Sequence, residues 1–388
     1  VREDGAMSNP VIVSAKRTPI AKLLGSLASF KASDLGGVAI EAALAQAGIA
    51  GSEVDHVVMG QVLLAGTGQL PARQAAAAAG IPLSVPASIV NKVCPSGLYA
   101  IHHASLLLRA GEANVVVAGG QESMSNAPHL LPGARRGIKY GNSQVIDSLM
   151  FDALWCAFDD CVMGDATEKY ADAMPVSRAR QDELAAASHA RAAAAWSAGR
   201  FTDEVVPMQL DRDEGIRDDT TVDKLAGLKG VFGGDQTITA GNASQISDGG
   251  AALVVMTADE AQHRGMTPLA EIVAYGQVAG PTPSLLHQPS NAINAALARA
   301  DLKVGDLSLI EINEAFAAVA AASIDALGVS EDIVNVNGGA IAIGHPVGMT
   351  GARIAMTLMY ELQRRGGGYG AAALCGGGGQ GDAIILKV

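Results

Sequence analysis

Two stretches of this chain, one near its start and one near its end, carry the same succession of residue patterns at an offset of about 250 residues, and this duplication limits the fold more than any other feature. EAALAQAGIAGSEVDHVVMG from Glu41 is answered by NAINAALARADLKVGDLSLIEINEA from Asn291. SIVNKVCPSGLYAIHHASLLLRAG from Ser88 is answered by DIVNVNGGAIAIGHPVGMTGARIAMTLMYELQRRG from Asp332, and VVVAGGQESM from Val115 by AAALCGGGGQGDAIILKV from Ala371. Each copy alternates short apolar runs with helical periodicity. That predicts two similar α/β halves, each a mostly parallel sheet covered by helices.

In the first copy, VIVSAKRTPI reads as a strand, Leu35 to Ala47 as a helix capped by Ser33 or Asp34, and Ser96 to Arg109 as a helix after the turn at Cys94. Residues 121–246 have no counterpart in the second copy and carry much charge: ARRGIKYG, the helical SRARQDELAAASHARAAAAW, and DRDEGIRDDTTVDK. They read as an inserted loop domain covering a ligand. The expected organisation is a first half over 7–120 completed by 247–266, the inserted loop domain over 121–246, and a second half over 267–388. Val1 to Ala6 precede Met7 and read as an artificial leader.

Composition narrows the partners. A formal charge of -12 argues against non-specific nucleic-acid binding, which needs a basic footprint. No apolar run is long enough to predict a membrane span, and no basic-then-apolar signal opens the chain. The four cysteines, Cys94, Cys156, Cys161 and Cys375, show no framework spacing, so reduced thiols in a cytoplasmic protein are expected. Cys156 and Cys161 lack CxxC spacing and a nearby histidine, so no metal site is expected.

The chemistry concentrates in four places. Cys94 follows a predicted strand and precedes a predicted helix, where the helix dipole favours a thiolate nucleophile. The matching turn of the second copy carries His345 between Gly344 and Pro346, so two halves facing each other would bring thiol and imidazole together. Cys375 ends an apolar strand and is followed by Gly376 to Gly379, whose unobstructed backbone N–H groups suit an oxyanion. Asn313 and Glu314 end SLIEINEA at the strand edge where open sheets place ligands.

Together NKVCPSG, NEAFA, GGAIAIGHPVGMTGAR and CGGGGQG resemble the thiolase family over essentially the whole chain from Met7. The resemblance implies the thiolase fold, a duplicated five-layer α/β/α/β/α architecture with an inserted loop domain, in a dimer or tetramer. It implies that Cys94, activated by His345, is acylated by an acyl-CoA, and that Cys375 deprotonates a second acetyl-CoA. His345 with a water held by Asn313 would form one oxyanion site, and the N–H groups of Cys94 and Gly377 the other. Coenzyme A contacts are implied at Leu154, Met163, Arg217, Phe232, Ala243, Ser244, Ala315 and Phe316. No resident cofactor is implied, since coenzyme A enters as substrate and leaves as product.

The chain departs from acetyl-specific relatives in three places. Val162 stands where a histidine usually precedes Met-Gly, His287 lies near the place of a Met-Gly-Thr-Gly-Pro run, and Lys224 replaces a small polar residue. The leading expectation is an acetyl-CoA C-acetyltransferase, with a degradative 3-ketoacyl-CoA thiolase second and a catalytically silent CoA- or lipid-binding homologue third. A condensing enzyme for carrier-bound chains fits less well, because that chemistry pairs one cysteine with two histidines.

Overall fold

The computed structural model describes residues 9–231 and 236–388. The first copy supplies β1 (Pro10–Arg17), α1 (Ala32–Ala47), β2 (His56–Gly60), α2 (Pro71–Ala78), β3 (Ala87–Val90), α3 (Ser96–Arg109) and β4 (Val115–Ser123). A long excursion follows, holding α4 (Arg178–Ser197), before β5 (Ser247–Thr257) closes the half. The second copy supplies β6 (Ala270–Ala279), α5 (Gln288–Ala300), β7 (Leu307–Ile312), α6 (Ala317–Leu327), α7 (Val347–Arg364), β8 (Tyr369–Gly376) and β9 (Gln380–Lys387).

The main strands run in the order β7-β8-β9-β6-β1-β5-β4-β2-β3, so each half shows the same arrangement read outward from the seam. That seam is short: β1 meets β6 antiparallel only at Val11–Glu271 and Ile12–Ala270. The expected mostly parallel sheets are corrected to mixed ones. Pairing is parallel at β2–β3, β2–β4 and β7–β8, but antiparallel at β4–β5, β5–β1, β6–β9 and β8–β9. At β8–β9 the cause lies in the connection. Residues 377–379 are too few for the crossover a parallel pair requires, so β8 and β9 form a hairpin. In the second half the counterpart of β3 shrinks to one parallel bridge, Ile310 with Val334.

Helices α1 and α2 cover the outer face of the first half, and α5 and α6 that of the second. Helices α3 and α7 pack on each other and on strands of both halves, forming the middle of five layers. Every residue of α7 from Val347 to Leu362 is buried, as a helix with apolar neighbours on all sides must be. Its polar positions therefore need partners: Thr357 donates to Glu204, and Arg353 faces Glu311 at 3.4 Å.

Sequence periodicity places α1 well, except at its start. The helix begins at Ala32, and Asp34 lies at its third position, where its carboxylate accepts the backbone N–H of Lys31 at 2.9 Å. Strand β4 runs through to Ser123 and overlaps the expected start of the inserted domain, because Gly120 to Ser123 stay paired with Asp248 to Ala251. The start of α4 is set by Ser177, whose hydroxyl accepts from the N–H of Arg180. Val1 to Ala6 lie outside the described residues. No helix of the described residues is long and apolar enough to cross a membrane.

Candidate active site

The turn that carries Cys94 joins β3 to α3 and contains a strained residue. Val93 has φ 54, a left-handed conformation that a β-branched side chain resists. Hydrogen bonds on both sides hold it there. The Val93 N–H donates to Asn91 Oδ1 at 3.0 Å, the Lys92 N–H donates to Ser96 Oγ at 2.8 Å, and that hydroxyl donates to the Val93 carbonyl at 2.6 Å. Such strain collects where a side chain must be aimed. Cys94 itself is partly exposed and packs against an apolar cluster that includes Val347 and Leu63, as does Leu154. The expected dipole-stabilised thiolate is corrected: burial pushes the thiol up to about 12, with only its own backbone N–H pulling the other way.

His345 sits in the matching turn, just before α7. Gly344 has φ 111, and a Cβ there would come within 2.5 Å of Ser247 Oγ. The His345 N–H donates to the Gln245 carbonyl at 3.0 Å. Its Nδ1 lies 2.6 Å from Thr350 Oγ1, whose single proton is donated to the Pro346 carbonyl at 2.9 Å. Thr350 must then accept, so the proton belongs on Nδ1 and Nε2 is left with a lone pair. Burial, and the nearby Arg353 charge, hold this imidazole down to about 3, so it is neutral at pH 7. Asn313 Nδ2 reaches Nε2 at 3.4 Å, while Asn313 Oδ1 is buried with no hydrogen-bond partner among the described residues.

Glycines bring the two turns together. A Cβ on Gly97 would stand 2.8 Å from the Gly348 carbonyl, one on Gly351 2.3 Å from the Leu98 nitrogen, and one on Gly120 2.0 Å from the Gly348 carbonyl. The N-terminal ends of α3 and α7 thus cross backbone on backbone. Glu122 caps the crossing, accepting N–H groups from Gly348 at 2.9 Å, Val62 at 3.0 Å and Leu63 at 3.1 Å. Burial pushes its carboxyl up to about 7 despite these donors.

Cys375 approaches from the β8–β9 hairpin. It is wholly buried, and its thiol is pushed well up by burial and further by the neighbouring Cys94 sulfur. The hairpin lies on the Cys94 turn: a Cβ on Gly376 would meet Pro95 at 2.9 Å, and one on Gly377 would touch Val93 at 3.4 Å. Gly379, at φ 71, would drive a Cβ to 2.1 Å from the Thr282 carbonyl. The two thiols are therefore neighbours, and the imidazole with its Asn313 partner lies on the turn that the glycine crossing packs against the Cys94 turn.

Most of the expected substrate contacts surround this point. Ala315, Phe316 and Met163 share one apolar cluster with Cys375. The Met163 N–H donates to the Leu154 carbonyl at 2.9 Å across the short ribbon of Trp155–Cys156 and Cys161–Val162. Ala243 bridges Phe316, and the Ser244 N–H donates to the Ala315 carbonyl at 3.0 Å, one residue before Gln245 anchors His345. Arg217 is different. Its side chain is exposed and unpaired among the described residues, on a loop tied to the His345 turn where Gln245 Nε2 donates to the Gly215 and Ile341 carbonyls. Phe232 lies outside the described residues. Lys224 is taken up locally by Asp219 at 2.5 Å, and His287 precedes α5 next to Leu285 and Leu286, which pack in the Cys375 cluster.

Sequence reasoning missed Thr350, Gln245 and Glu122, which orient the site without chemistry of their own. Thr350 stands five residues after His345 in the first turn of the following helix, and that spacing was the available signal.

A duplicated α/β chain that sets two neighbouring thiols and a neutral imidazole on turns packed together at the crossing of paired helices is an acyl-transferring enzyme of the condensing kind. The comparisons give it a family. The family model described as the thiolase N-terminal domain matches residues 10–259, and that of the thiolase C-terminal domain matches residues 266–388. The chain belongs to the thiolase family. It is 57% identical to the "Probable acetyl-CoA acetyltransferase" of Mycobacterium tuberculosis, over 98% of this chain and 100% of that protein. It is 47% identical to the acetyl-CoA acetyltransferase of Cupriavidus necator, over 98% of this chain and 100% of that one. The crystal structure of the Bacillus anthracis acetyl-CoA acetyltransferase superposes with a TM-score of 0.95 at 37% identity, covering 98% of this chain and 99% of that chain.

Proposed function

We propose that this thiolase is an acetyl-CoA C-acetyltransferase, condensing two acetyl-CoA into acetoacetyl-CoA and free coenzyme A. Coenzyme A is substrate and product, not a resident cofactor. The observation that carries the reading is geometric: the Cys375 hairpin and the His345 turn both pack on the turn of Cys94, and the imidazole presents Nε2 as an acceptor. With both thiols protonated at rest, Cys94 attacks the thioester carbonyl as its proton passes to His345 Nε2. The carbonyl–sulfur bond to coenzyme A breaks, and Cys375 gives its proton to the departing thiolate. Cys375, now a thiolate, removes a proton from the methyl carbon of a second acetyl-CoA. The resulting carbanion attacks the acetyl carbonyl on Cys94, and the released Cys94 sulfur takes back the proton held by His345. Protons and bonds balance over the cycle.

Each addition builds negative charge on an oxygen, which needs donors already in place. The unpartnered Asn313 Oδ1 supports the first oxyanion site, since it is able to hold a water beside His345. The close approach of Gly377 to Val93 supports the second, formed by the N–H groups of Cys94 and Gly377. The exposed Arg217 suits the phosphates or adenine of coenzyme A. Assembly as a dimer or tetramer and a cytoplasmic setting belong to the same proposal.

Intact-mass analysis after incubation with acetyl-CoA tests the reading. An acetyl adduct that disappears in Cys94→Ala is expected; an unmodified protein that still binds coenzyme A would favour the silent homologue. One observation favours the longer-chain reading as well. A cavity of about 480 Å³ opens beside the site, lined by Val62, Val93, Trp155, Phe158, Met163 and Gly377 among others. Thiolysis rates on acetoacetyl-CoA against a C8 to C16 3-ketoacyl series separate the two, and dominant turnover of the long chains rejects the acetyl assignment.

A further inference from the structure

The Cys94 turn and the Cys375 hairpin are joined by an ion pair that the chemistry above does not use. Lys92, two residues before Cys94, places its Nζ 2.6 and 2.9 Å from the carboxylate oxygens of Asp382 and 2.9 Å from Gln277 Oε1. Asp382 is wholly buried on β9 and also accepts the Tyr275 hydroxyl at 2.6 Å. In the β8–β9 register Asp382 stands opposite Leu374, and Gly381 opposite Cys375. The two ends of the ion pair thus belong to the segments bearing the two thiols.

The surroundings keep the pair in one geometry. The ammonium lies 5.0 Å over the Tyr99 ring, and the Tyr275 ring stacks on His102 with centroids 4.0 Å apart. The Lys92 side chain is 16% exposed and that of Asp382 0%, so solvent does little to loosen it. A pair taken out of water is poor evidence of stability, because desolvation offsets the attraction; a role in position accounts for it better. On the other side of Lys92 lies Val93 at φ 54, the strained residue that aims Cys94.

The contacts divide the work. The Cys94 turn packs on the His345 turn through the glycine crossing of α3 and α7, in which the Lys92 side chain takes no part. Cys94 meets Cys375 through the hairpin, and there Lys92 and Asp382 set the spacing. We propose that Lys92 and Asp382 are positioning residues for carbon–carbon bond formation, holding the acyl group on Cys94 in register with the carbanion generated at Cys375. The inference rests on the acyl-transfer reading of the site.

Lys92→Met, Lys92→Arg and the isosteric Asp382→Asn test it, each assayed well below its own melting temperature. Acetylation of Cys94, followed by intact mass, is expected to stay within about fivefold of wild type, while condensation falls roughly 30- to 100-fold, the scale of a one-ångström misplacement. Lys92→Arg, which restores the ion pair, is expected to recover most of the condensation rate. Equal losses in both half-reactions, or condensation within twofold of wild type in Lys92→Met and Asp382→Asn, overturn the proposal. A second readout does not depend on turnover: 1,3-dibromoacetone joins two adjacent thiols by forming two carbon–sulfur bonds and expelling two bromides with the thiol protons. Wild type is expected to bridge Cys94 to Cys375, and Lys92→Met to collect single additions instead. Bridging in Lys92→Met as complete as in wild type refutes the positioning role, and wild type that bridges yet never acetylates points to failure of the acyl-transfer reading instead.

Discussion

The two halves share their strand order but part company at one place, the link between the last two strands of each. In the first half β4 and β5 are separated by residues 124–246, which carry Leu154, Met163, Arg217, Ala243 and Ser244. In the second half the same link is the run of glycines at 377–379. The long link carries the proposed substrate contacts; the short one turns directly after Cys375 and sets Gly377 against Val93. The βα turns diverge too. Residues 91–95 aim Cys94 through a single strained valine, whereas residues 335–346 position His345 through a short helical turn, Gly344 and Thr350. Duplication provides two facing turns, and differences in their connections put a thiol on one and an imidazole on the other.

Removing the short link's thiol is the severest test of that division. Cys375→Ala is expected to accept an acetyl group on Cys94 yet to condense about 10²- to 10⁴-fold more slowly, the range for loss of a proton-transferring group. Loss of acetylation in that variant would break the assignment. Next comes the base. Thr350→Val frees the Nδ1 proton of His345 from its acceptor, and a fall of about 10- to 100-fold in kcat is expected, as when a histidine loses its orienting partner. An unchanged kcat and pH profile would show that the tautomer needs no help from Thr350.

The shared contact should respond in stability rather than rate constants alone. Gly348→Ala puts a Cβ 2.7 Å from Gln61 Cα and 2.8 Å from Glu122 Oε2, so destabilisation of about 1–3 kcal/mol is expected from overpacking, read by denaturant melts. A neutral effect would mean that the crossing helices separate freely. The smallest effect is on pH. His345, depressed to about 3, resists protons that the unfolded chain binds, so its contribution is lost as pH falls below the ordinary 6.5 toward 3. Glu122, raised to about 7, acts oppositely: its contribution is full below the ordinary 4.5 and is lost as pH rises through 7. Glu122→Gln is therefore expected to flatten the decline in melting temperature above pH 5 and leave the acid side unchanged.

Much of this was legible in the chain. Repetition of the apolar pattern predicts the two halves, and the βα turns at Cys94 and His345 fall where periodicity changes. Strand direction was less accessible, because apolar runs do not say which way a neighbour points; only the shortness of CGGGGQG hints at a hairpin. The charge state of Cys94 also eluded the sequence. Helix position argues for a thiolate, but burial at the crossing prevails, and burial depends on partners distant in the chain. Thr350 and Asp382 look ordinary in one dimension, as a helix threonine and an acid within an apolar strand.

The seam and the late arrival of β5 carry a consequence for biosynthesis. β1 emerges first, yet both its neighbours, β5 and β6, are encoded beyond residue 246. At roughly 5–20 residues per second on the ribosome, the amino-terminal strand waits on the order of ten seconds or more with both edges bare. Until Ala279 has been added, that strand keeps at least one edge open to pairing with another chain.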